Sequence, residues 1–356
     1  MPTVLFTGGG TAGHVTPNIA LIEAARQRGW QVDYAGSRKG IEKALIEPLA
    51  VPYHPISSGK LRRYFSWENL LDPFRIVAGI IQAFLLLGRL RPDAVFSKGG
   101  FVSVPVVVAA WLRRIPVISH ESDVTPGLAN RLTFPFCRRI CLTFDASRGH
   151  LPEKKVLVTG TPVRQSIVAG DAGAGRRFLG LGDDRPLLLV FGGSLGAAKI
   201  NEQVRRVLDQ LLESFQVAHI VGRGNVAAGL DRPGYVQKEF VGDEFGDVLS
   251  AAEIVISRAG ANSLYELFLT RKPHLLIPLG RGASRGDQLV NAETFEREGM
   301  SRVLPEEGLD DARFLQALAA LQKDSDSLRQ RLEQFQIRDS ISLILGEIER
   351  AWSSTR

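Results

Sequence analysis

Two stretches decide the fold: Val4-Leu5-Phe6-Thr7-Gly8-Gly9-Gly10-Thr11-Ala12-Gly13-His14, and Leu188-Leu189-Val190-Phe191-Gly192-Gly193-Ser194-Leu195-Gly196-Ala197. Each reads as an apolar strand, a glycine turn and the start of a helix. Glycine lets the backbone approach a ligand closely, and a helix N-terminus favours an anion. Further strands are expected at Gln31–Ala35, Ala94–Ser97, Val117–His120, Ile140–Thr143 and Val156–Thr159. A second series follows at Val217–Val221, Gln237–Phe240, Ile254–Ser257 and His274–Pro278. Helix-length segments lie between them, the βαβ signature of a parallel sheet covered on both faces. Ala169–Asp184, rich in Gly, Asp and Arg, reads as a surface connection between the two series. Asp311–Trp352 reads as charged and helical. The expectation is an α/β chain of two Rossmann-like, doubly wound domains facing a cleft, with ligands beyond the carboxyl ends of the strands.

The 356 residues, 44% hydrophobic and 23% charged, supply a full core and fit two domains. Cys137 and Cys141 are too few for a disulfide framework, which fits a reducing compartment. No signal-peptide pattern opens the chain. The greasiest stretches, Ile76–Leu87 and Val102–Leu112, fall short of the ~20 residues of a membrane-spanning helix, so no crossing is expected. Residues 1–161 hold 20 Lys+Arg against 11 Asp+Glu, a balance of +9, and the rest is −3. The basic half calls for an anionic partner: nucleic acid, a phosphorylated substrate or an anionic membrane face.

Gly8-x-Gly10-x-x-Gly13 matches the dinucleotide fingerprint, with Asp33 about where a ribose acid would stand. Two features weigh against that reading. Asp33 lies mid-strand, and a second glycine loop has no purpose in a single-cofactor dehydrogenase. His14, at a helix mouth, is either an exposed helix-start residue or a general base whose unperturbed pKa of about 6.5 suits the task. His120-Glu121-Ser122-Asp123 ends a strand and serves as a site, a helix cap or both. Ser257-Arg258-Ala259-Gly260-Ala261-Asn262-Ser263 is another strand-to-helix turn, and Glu266, one helical turn after Asn262, shares its face. Arg285-Gly286-Asp287-Gln288 and Asn291 follow the next strand. Asp324-Ser325-Asp326 resembles a metal motif but lies in a charged helix far from any strand end, so it is assigned to the surface.

Lys60-Leu61-Arg62-Arg63-Tyr64-Phe65-Ser66-Trp67 precedes Phe74–Leu90, a run apolar almost all round. A helix covering a sheet needs one apolar stripe. The surplus, bracketed by cations and aromatics, fits Lys60–Leu90 as a peripheral site on an anionic membrane surface. Nucleic acid is discounted because no recognition motif accompanies these residues.

Together these segments resemble the MurG family of peptidoglycan glycosyltransferases over nearly the whole chain. The resemblance rests on 8–14, Lys98-Gly99-Gly100-Phe101-Val102-Ser103, His120-Glu121 with Gly127-Leu128-Ala129-Asn130, and Gly160-Thr161-Pro162-Val163-Arg164. It continues through 192–197, Ser257-Arg258-Ala259-Gly260 with Glu266, and Asp287-Gln288 with Asn291-Ala292. It implies a GT-B fold whose last helix crosses back to the first domain. It implies inverting transfer of N-acetylglucosamine from UDP-N-acetylglucosamine (UDP-GlcNAc) to the 4-hydroxyl of the muramoyl-pentapeptide sugar of lipid I, giving lipid II and UDP at the cytoplasmic face of a bacterial membrane. Residues 1–161 with 340–356 would be the acceptor and membrane domain, and 162–339 the UDP-GlcNAc domain. No tightly bound cofactor is implied; a divalent cation is compatible but required by no motif.

Within that reading His14 leads as base, with Glu121 or Asp123 as alternatives or orienting partners. Thr11, Ala12 and Gly13, and Ser194, Leu195 and Gly196, would supply backbone donors to phosphates, and Arg164 a fixed charge. By family match Glu266 takes ribose hydroxyls, Gly242 lies in the stretch near uracil, and Gln288 and Asn291 hold the sugar. Arg258, Gly260, Ala261, Asn262 and Ser263 complete the nucleotide-sugar site. The chain departs from the family where Ser122-Asp123 replaces a frequent Gln-Asn, where Gly286-Asp287 precedes Gln288, and where Phe101 replaces a frequent Tyr. Rival readings are a GT-B transferase acting on another lipid such as diacylglycerol, a UDP-GlcNAc 2-epimerase and a non-catalytic nucleotide-sugar-binding module.

Overall fold

The computed structural model describes residues 1–59, 67–182, 185–193, 196–280 and 286–353. The basic residues 60–66, the site candidates Ser194 and Leu195, and Arg285 lie outside this set.

Unit 1 comprises Met1–Val163 with Arg338–Arg356. Its strands are β1 (Thr3–Thr7), β2 (Gln31–Gly36), β3 (Tyr53–Pro55), β4 (Ala94–Ser97), β5 (Val117–Glu121), β6 (Arg139–Leu142) and β7 (Val156–Val158). Its helices are α1 (Thr16–Gln27), α2 (Ile41–Ile46), α3 (Trp67–Leu90), α4 (Ser103–Leu112) and α5 (Leu128–Thr133). Unit 2, Arg164–Ile337, begins with α6 (Gln165–Val168) and α7 (Ala172–Leu179). Its strands are β8 (Leu187–Phe191), β9 (Gln216–Ile220), β10 (Tyr235–Lys238), β11 (Ile254–Ser257), β12 (His274–Leu276) and β13 (Arg302–Val303). Its other helices are α8 (Ala198–Arg206), α9 (Leu208–Ser214), α10 (Phe245–Ala251), α11 (Ala261–Leu269), α12 (Asp287–Arg297) and α13 (Asp311–Glu333). The final helix, α14 (Ser340–Ser353), belongs to unit 1.

Both sheets are wholly parallel among the described residues. Their orders are β3-β2-β1-β4-β5-β6-β7 and β10-β9-β8-β11-β12-β13. These are the doubly wound order of a Rossmann sheet, found once in each unit. Burial on two faces explains the continuous apolar strands. Along β1, Val4 and Phe6 join one core with Leu21, Tyr34 and Phe96, while Leu5 joins the opposite core with Val95, Val106 and Leu142. Ile344, Leu345 and Ile348 of α14 are fully buried in the first of these cores. Each such side chain contributes about 1.5–3 kcal/mol on burial. The chain therefore returns to unit 1 to close one face of its sheet.

Two expectations are corrected. The presumed connection Ala169–Asp184 contains α7, capped by Asp171, whose Oδ1 accepts from the Ala174 N–H at 2.5 Å. Gly175 serves close packing: a Cβ there would stand 2.2 Å from the Asp247 carbonyl at α10. The greasy run is also longer than expected. Asp72–Leu90 is 19 residues with mean hydropathy 1.5, long and apolar enough to cross a membrane by length and composition. One stripe of α3, Ala83, Leu86 and Leu87, is nevertheless packed into the unit 1 core.

Candidate functional site

In each sheet the order reverses between the first and fourth strands of the unit, β1/β4 and β8/β11. The chain leaves these neighbouring strands toward opposite faces, which opens a crevice beyond their carboxyl ends. In unit 1 the crevice is bounded by the glycine loop after β1 and by Lys98-Gly99-Gly100 after β4. In unit 2 it is bounded by Gly192, Gly193 and Gly196 after β8 and Arg258-Ala259-Gly260 after β11.

The first glycine loop is held from several sides. Gly9 donates to the Gly99 carbonyl at 3.2 Å, and Tyr34 Oη donates to the Gly8 carbonyl at 2.7 Å. Gly10 donates to Glu42 Oε2 at 3.2 Å, and the same carboxylate accepts from the Ser37 N–H at 2.8 Å. Glu42 is fully buried. Both loop bonds consume donors that a dinucleotide fingerprint would spend on a pyrophosphate, and a carboxylate directly behind the loop repels such a ligand. Asp33 is engaged as well, its Oδ1 lying 2.6 Å from His54 Nε2. The NAD reading fails on both residues. Gly100 packs on this loop with φ +84°, and a Cβ there would stand 2.1 Å from the Gly9 carbonyl.

His14 ends a short 3-10 turn before α1 and is partly exposed. Its Nδ1 lies 3.1 Å from the Gly9 carbonyl and 3.3 Å from Thr11 Oγ1. A carbonyl can only accept, so the neutral ring carries its proton on Nδ1 and its lone pair on Nε2. That is the tautomer a proton-accepting imidazole needs, fixed by the loop itself.

Glu121, at the end of β5, is buried. Its Oε1 accepts from the N–H groups of Ser122 (2.8 Å) and Asp123 (3.1 Å), and its Oε2 from Gly127 N–H (3.1 Å) and Asn130 Nδ2 (2.8 Å). Four bonds occupy the roughly four lone-pair positions of a carboxylate. Glu121 therefore shapes the 121–130 turn, with both carboxylate oxygens engaged by donors of that turn. Asp123, in the same turn, is partly exposed. His120 is buried with Nε2 donating to the Gly160 carbonyl at 2.9 Å. Burial, then the Lys98 charge, holds it well below the usual histidine range, so it is neutral.

In unit 2, Gly196 has φ +80° and donates to the Gly193 carbonyl at 2.7 Å, closing the second loop tightly. Behind it, Asn201 Nδ2 donates to the Val221 carbonyl (2.8 Å), its Oδ1 accepts from His219 Nε2 (3.0 Å), and His219 Nδ1 accepts from Tyr235 Oη (2.9 Å). Burial pushes His219 down to about 3, so this network stays neutral. Asn262 and Glu266 stand one turn apart on α11, both partly buried. Burial pushes the Glu266 carboxyl up to about 7, with Arg164 pulling the other way. Arg164 Nη1 also donates to Asp243 Oδ1 at 3.0 Å, beside Gly242. Gly260 caps α11 at its N-terminus, with Ala261 buried and Ser263 partly buried behind it.

Two of the expected ligand residues make buried contacts within unit 2. The Arg258 guanidinium is buried; it donates to the Ile277 carbonyl at 2.9 Å and pairs with Glu306. Lys199 Nζ reaches the other Glu306 oxygen at 2.9 Å. Burial would raise the Glu306 carboxyl, but hydrogen bonds from Lys199 and Arg258 outweigh it and hold the group below its usual range. Asn291 is fully buried and donates to the Ala259 carbonyl at 3.1 Å. Arg258 and Asn291 thus hold the turn before Gly260 from behind. Gln288, partly buried, accepts from the Leu279 N–H at 3.1 Å. The paired aspartates 324 and 326 form ion pairs with Arg302 and Arg329 on the surface of α13.

Sequence reasoning missed Lys98, Glu42 and Glu306 as organisers. One signal could have found the first. Ser97-Lys98-Gly99-Gly100 after β4 parallels Ser257-Arg258-Ala259-Gly260 after β11, each with a buried cation. Asn130 and Asn291, on the helices after β5 and β12, likewise both back those turns: a Cβ on Gly99 would stand 2.4 Å from Asn130 Oδ1.

Comparison with known proteins agrees with this layout. Residues 4–142 match the glycosyltransferase family 28 N-terminal domain and residues 187–344 its C-terminal domain. A Legionella pneumophila (strain Lens) protein is 52% identical over 350 residues, 98% of this chain and 96% of its own length. It is named UDP-N-acetylglucosamine--N-acetylmuramyl-(pentapeptide) pyrophosphoryl-undecaprenol N-acetylglucosamine transferase. A Bacillus cereus (strain ATCC 14579) protein bearing the same name with the suffix 2 is 45% identical over 352 residues, covering 99% of this chain and all of its own. The crystal structure of Acinetobacter baumannii MurG shares the two-sheet fold, with a TM-score of 0.79 at 23% identity, covering 98% of this chain and all of that one.

Gly100→Ala and Gly10→Ala separate conformation from contact. Both positions have positive φ, but a Cβ on Gly10 meets nothing within 4 Å. Gly10→Ala should cost about 1 kcal/mol and Gly100→Ala at least about 2 kcal/mol more in urea unfolding. Equal costs would show that the Gly9–Gly100 contact yields without strain.

Proposed function

The chain belongs to glycosyltransferase family 28, the MurG family, and from that premise we propose that it transfers N-acetylglucosamine from UDP-GlcNAc to N-acetylmuramyl-(pentapeptide) pyrophosphoryl-undecaprenol. The observation that carries this reading is 52% and 45% identity, over nearly the full chain, to relatives named for that transfer. The product, lipid II, supplies peptidoglycan synthesis and through it cell shape and division.

Inversion requires one direct displacement. The acceptor 4-hydroxyl attacks the anomeric carbon, its proton passes to a base, and UDP leaves. His14 is the base in this reading, supported by its fixed Nδ1–H tautomer; the saturated Glu121 orients the turn and Asp123 adds negative charge beside it. Unit 1 is the acceptor domain and unit 2 the donor domain. In unit 2 the second glycine loop, Arg164 and the α11 start offset the leaving diphosphate. Glu266 accepts the ribose hydroxyls, Gly242 lies beside the base, and Gln288 meets the sugar.

Unit 1 also lies on an anionic membrane surface. Phe74, Val77, Ile81, Phe84 and Leu85 form one exposed stripe along α3, with Phe74 72% exposed. Trp111 and Leu112 at the end of α4, and Leu128 and Leu132 on α5, are exposed as well. Arg75, Arg89, Arg91 and Arg114 are exposed cations in the same elements and their flanks. Because the opposite stripe of α3 is packed in the core, the helix is read as lying on the bilayer without spanning it.

Incubation with UDP-GlcNAc and lipid I should release UDP and yield the disaccharide lipid, and His14→Ala should slow turnover by about 10²–10⁴-fold at saturation. Product from diacylglycerol but none from lipid I would reassign the acceptor, no turnover of either would favour a binding module, and an unchanged rate in His14→Ala would remove it as the base.

Uridine binding should be linked to Glu266. A hydroxyl donates to the ionised carboxylate, so below about pH 7 binding must expel a proton. Affinity should rise with pH up to about 7 and then level. Calorimetry should record proton release that disappears in Glu266→Gln; release that persists would exclude Glu266 as the linked group.

The triple change Phe74→Ser, Ile81→Ser, Leu85→Ser alters exposed side chains only. It should preserve the fold by circular dichroism and abolish co-sedimentation with phosphatidylglycerol vesicles; undiminished binding would reject the surface.

A further inference from the structure

Lys98 is 1% exposed, an unusual position for an ammonium, which is rarely buried without a partner. Its main chain belongs to the first crevice. The Lys98 N–H donates to the Thr7 carbonyl at 2.9 Å, and the next carbonyl, Gly99, accepts from Gly9. A Cβ on Gly8 would stand 3.0 Å from the Lys98 Cβ, so the side chain starts directly beneath the glycine loop. It runs to the turn after the neighbouring strand β5, where Nζ donates to Ser122 Oγ. Lys98 therefore touches both segments that carry a titratable candidate, the loop of His14 and the turn of Asp123.

We propose that Lys98 is a positioning residue that ties the His14 loop to the Asp123 turn and, by its charge, offsets the added carboxylate of Asp123. The reading rests on the transfer function given above. It addresses the place where this chain departs from its family, Ser122-Asp123 in place of Gln-Asn. An added carboxylate at a crevice meant for an anionic acceptor would repel it, and a buried cation behind the turn compensates that charge. Ser122, shorter than Gln, supplies the hydroxyl that the ammonium reaches.

The charged and titratable groups facing Lys98 come from β5 and its turn. Glu121 and Asp123 favour the ammonium, and His120 is held neutral partly by it. From the glycine loop Lys98 meets the main chain of Thr7 and Gly8. Burial pushes the ammonium down to about 8, against the pull of the two carboxylates. The tie is thus charged at neutral pH and is lost in mildly alkaline solution.

Two measurements test the proposal on the full chain. Without substrate, [13Cε]lysine NMR should show one lysine with a midpoint near 8. Ser122→Ala removes the acceptor and Asp123→Asn removes the charge, so both should lower that midpoint. A midpoint at the ordinary lysine value, or one that neither variant moves, would overturn the proposal. With UDP-GlcNAc and lipid I, kcat should fall above about pH 8 in the wild type. Lys98→Met should be slower at neutral pH by about 10–100-fold and lack that alkaline limb. Lys98→Arg should also lack the limb while retaining more of the neutral rate. A uniform loss with the limb unchanged would mean that Lys98 only stabilises the fold, and would also overturn the proposal. Absence of UDP release by the wild type would fault the transfer reading alone, because the NMR midpoints still decide the tie. Should Lys98→Met fail to fold, the Ser122→Ala midpoint and limb, both expected to shift to lower pH, carry the test.

Discussion

Everything functional in this chain depends on a constraint of parallel sheets. Where strand order reverses, two neighbouring strands must send their chains to opposite faces, and nothing in the sheet fills the gap beyond them. Main-chain groups at those exits need partners. In unit 1, Gly9 bonds to Gly99, Gly8 to Tyr34 and Gly10 to Glu42. In unit 2, Gly196 closes on Gly193, and Asn291 holds the Ala259 carbonyl. Among the described residues these exits are held from behind, which suits a displacement reaction whose surroundings must reorganise little.

The two units solve the same problem with different charges. Each places a buried cation immediately after its fourth strand and an asparagine on the helix after the fifth. In unit 2 the cation is Arg258 and its counter-charge is Glu306, a pair closed upon itself. In unit 1 the cation is Lys98, its nearest contact is a neutral hydroxyl, and the carboxylates that favour it lie in the adjoining turn. The first arrangement stiffens a turn; the second links that turn to charge at the site.

Much of the architecture was legible in the sequence, for a physical reason. Strands buried on both faces are continuous apolar runs, so β1, β4, β8 and β11 announce themselves. The edge strands β3 and β13, of three and two residues, carry too few side chains to show a pattern. Helix α7 was hidden by Gly173 and Gly175, which read as loop, yet Gly175 serves close packing on α10. At the site, glycine loops and family resemblance pointed to His14, Glu121, Asp123, Asn262 and Glu266. They did not indicate that Glu121, Arg258 and Asn291 work from behind, because those roles depend on partners brought together by the fold. Gly10 and Glu42 are 32 residues apart in the chain, and no local spacing relates them. The charge arithmetic of the first half gained a more specific content: part of its excess is the α3 flank, and part is a single lysine that solvent never meets.

The return of α14 to unit 1 bears on biosynthesis. A ribosome delivers residues 1–163, then all of 164–337, and only then the helix whose Ile344, Leu345 and Ile348 finish the first core. Unit 2 therefore has its complete chain while unit 1 still lacks one wall of its sheet, with Leu21, Trp30 and Tyr34 on the uncovered side. The second unit can mature before the first. A chain that stops short of α14 leaves that apolar face uncovered, open to chaperones and proteases until the helix arrives.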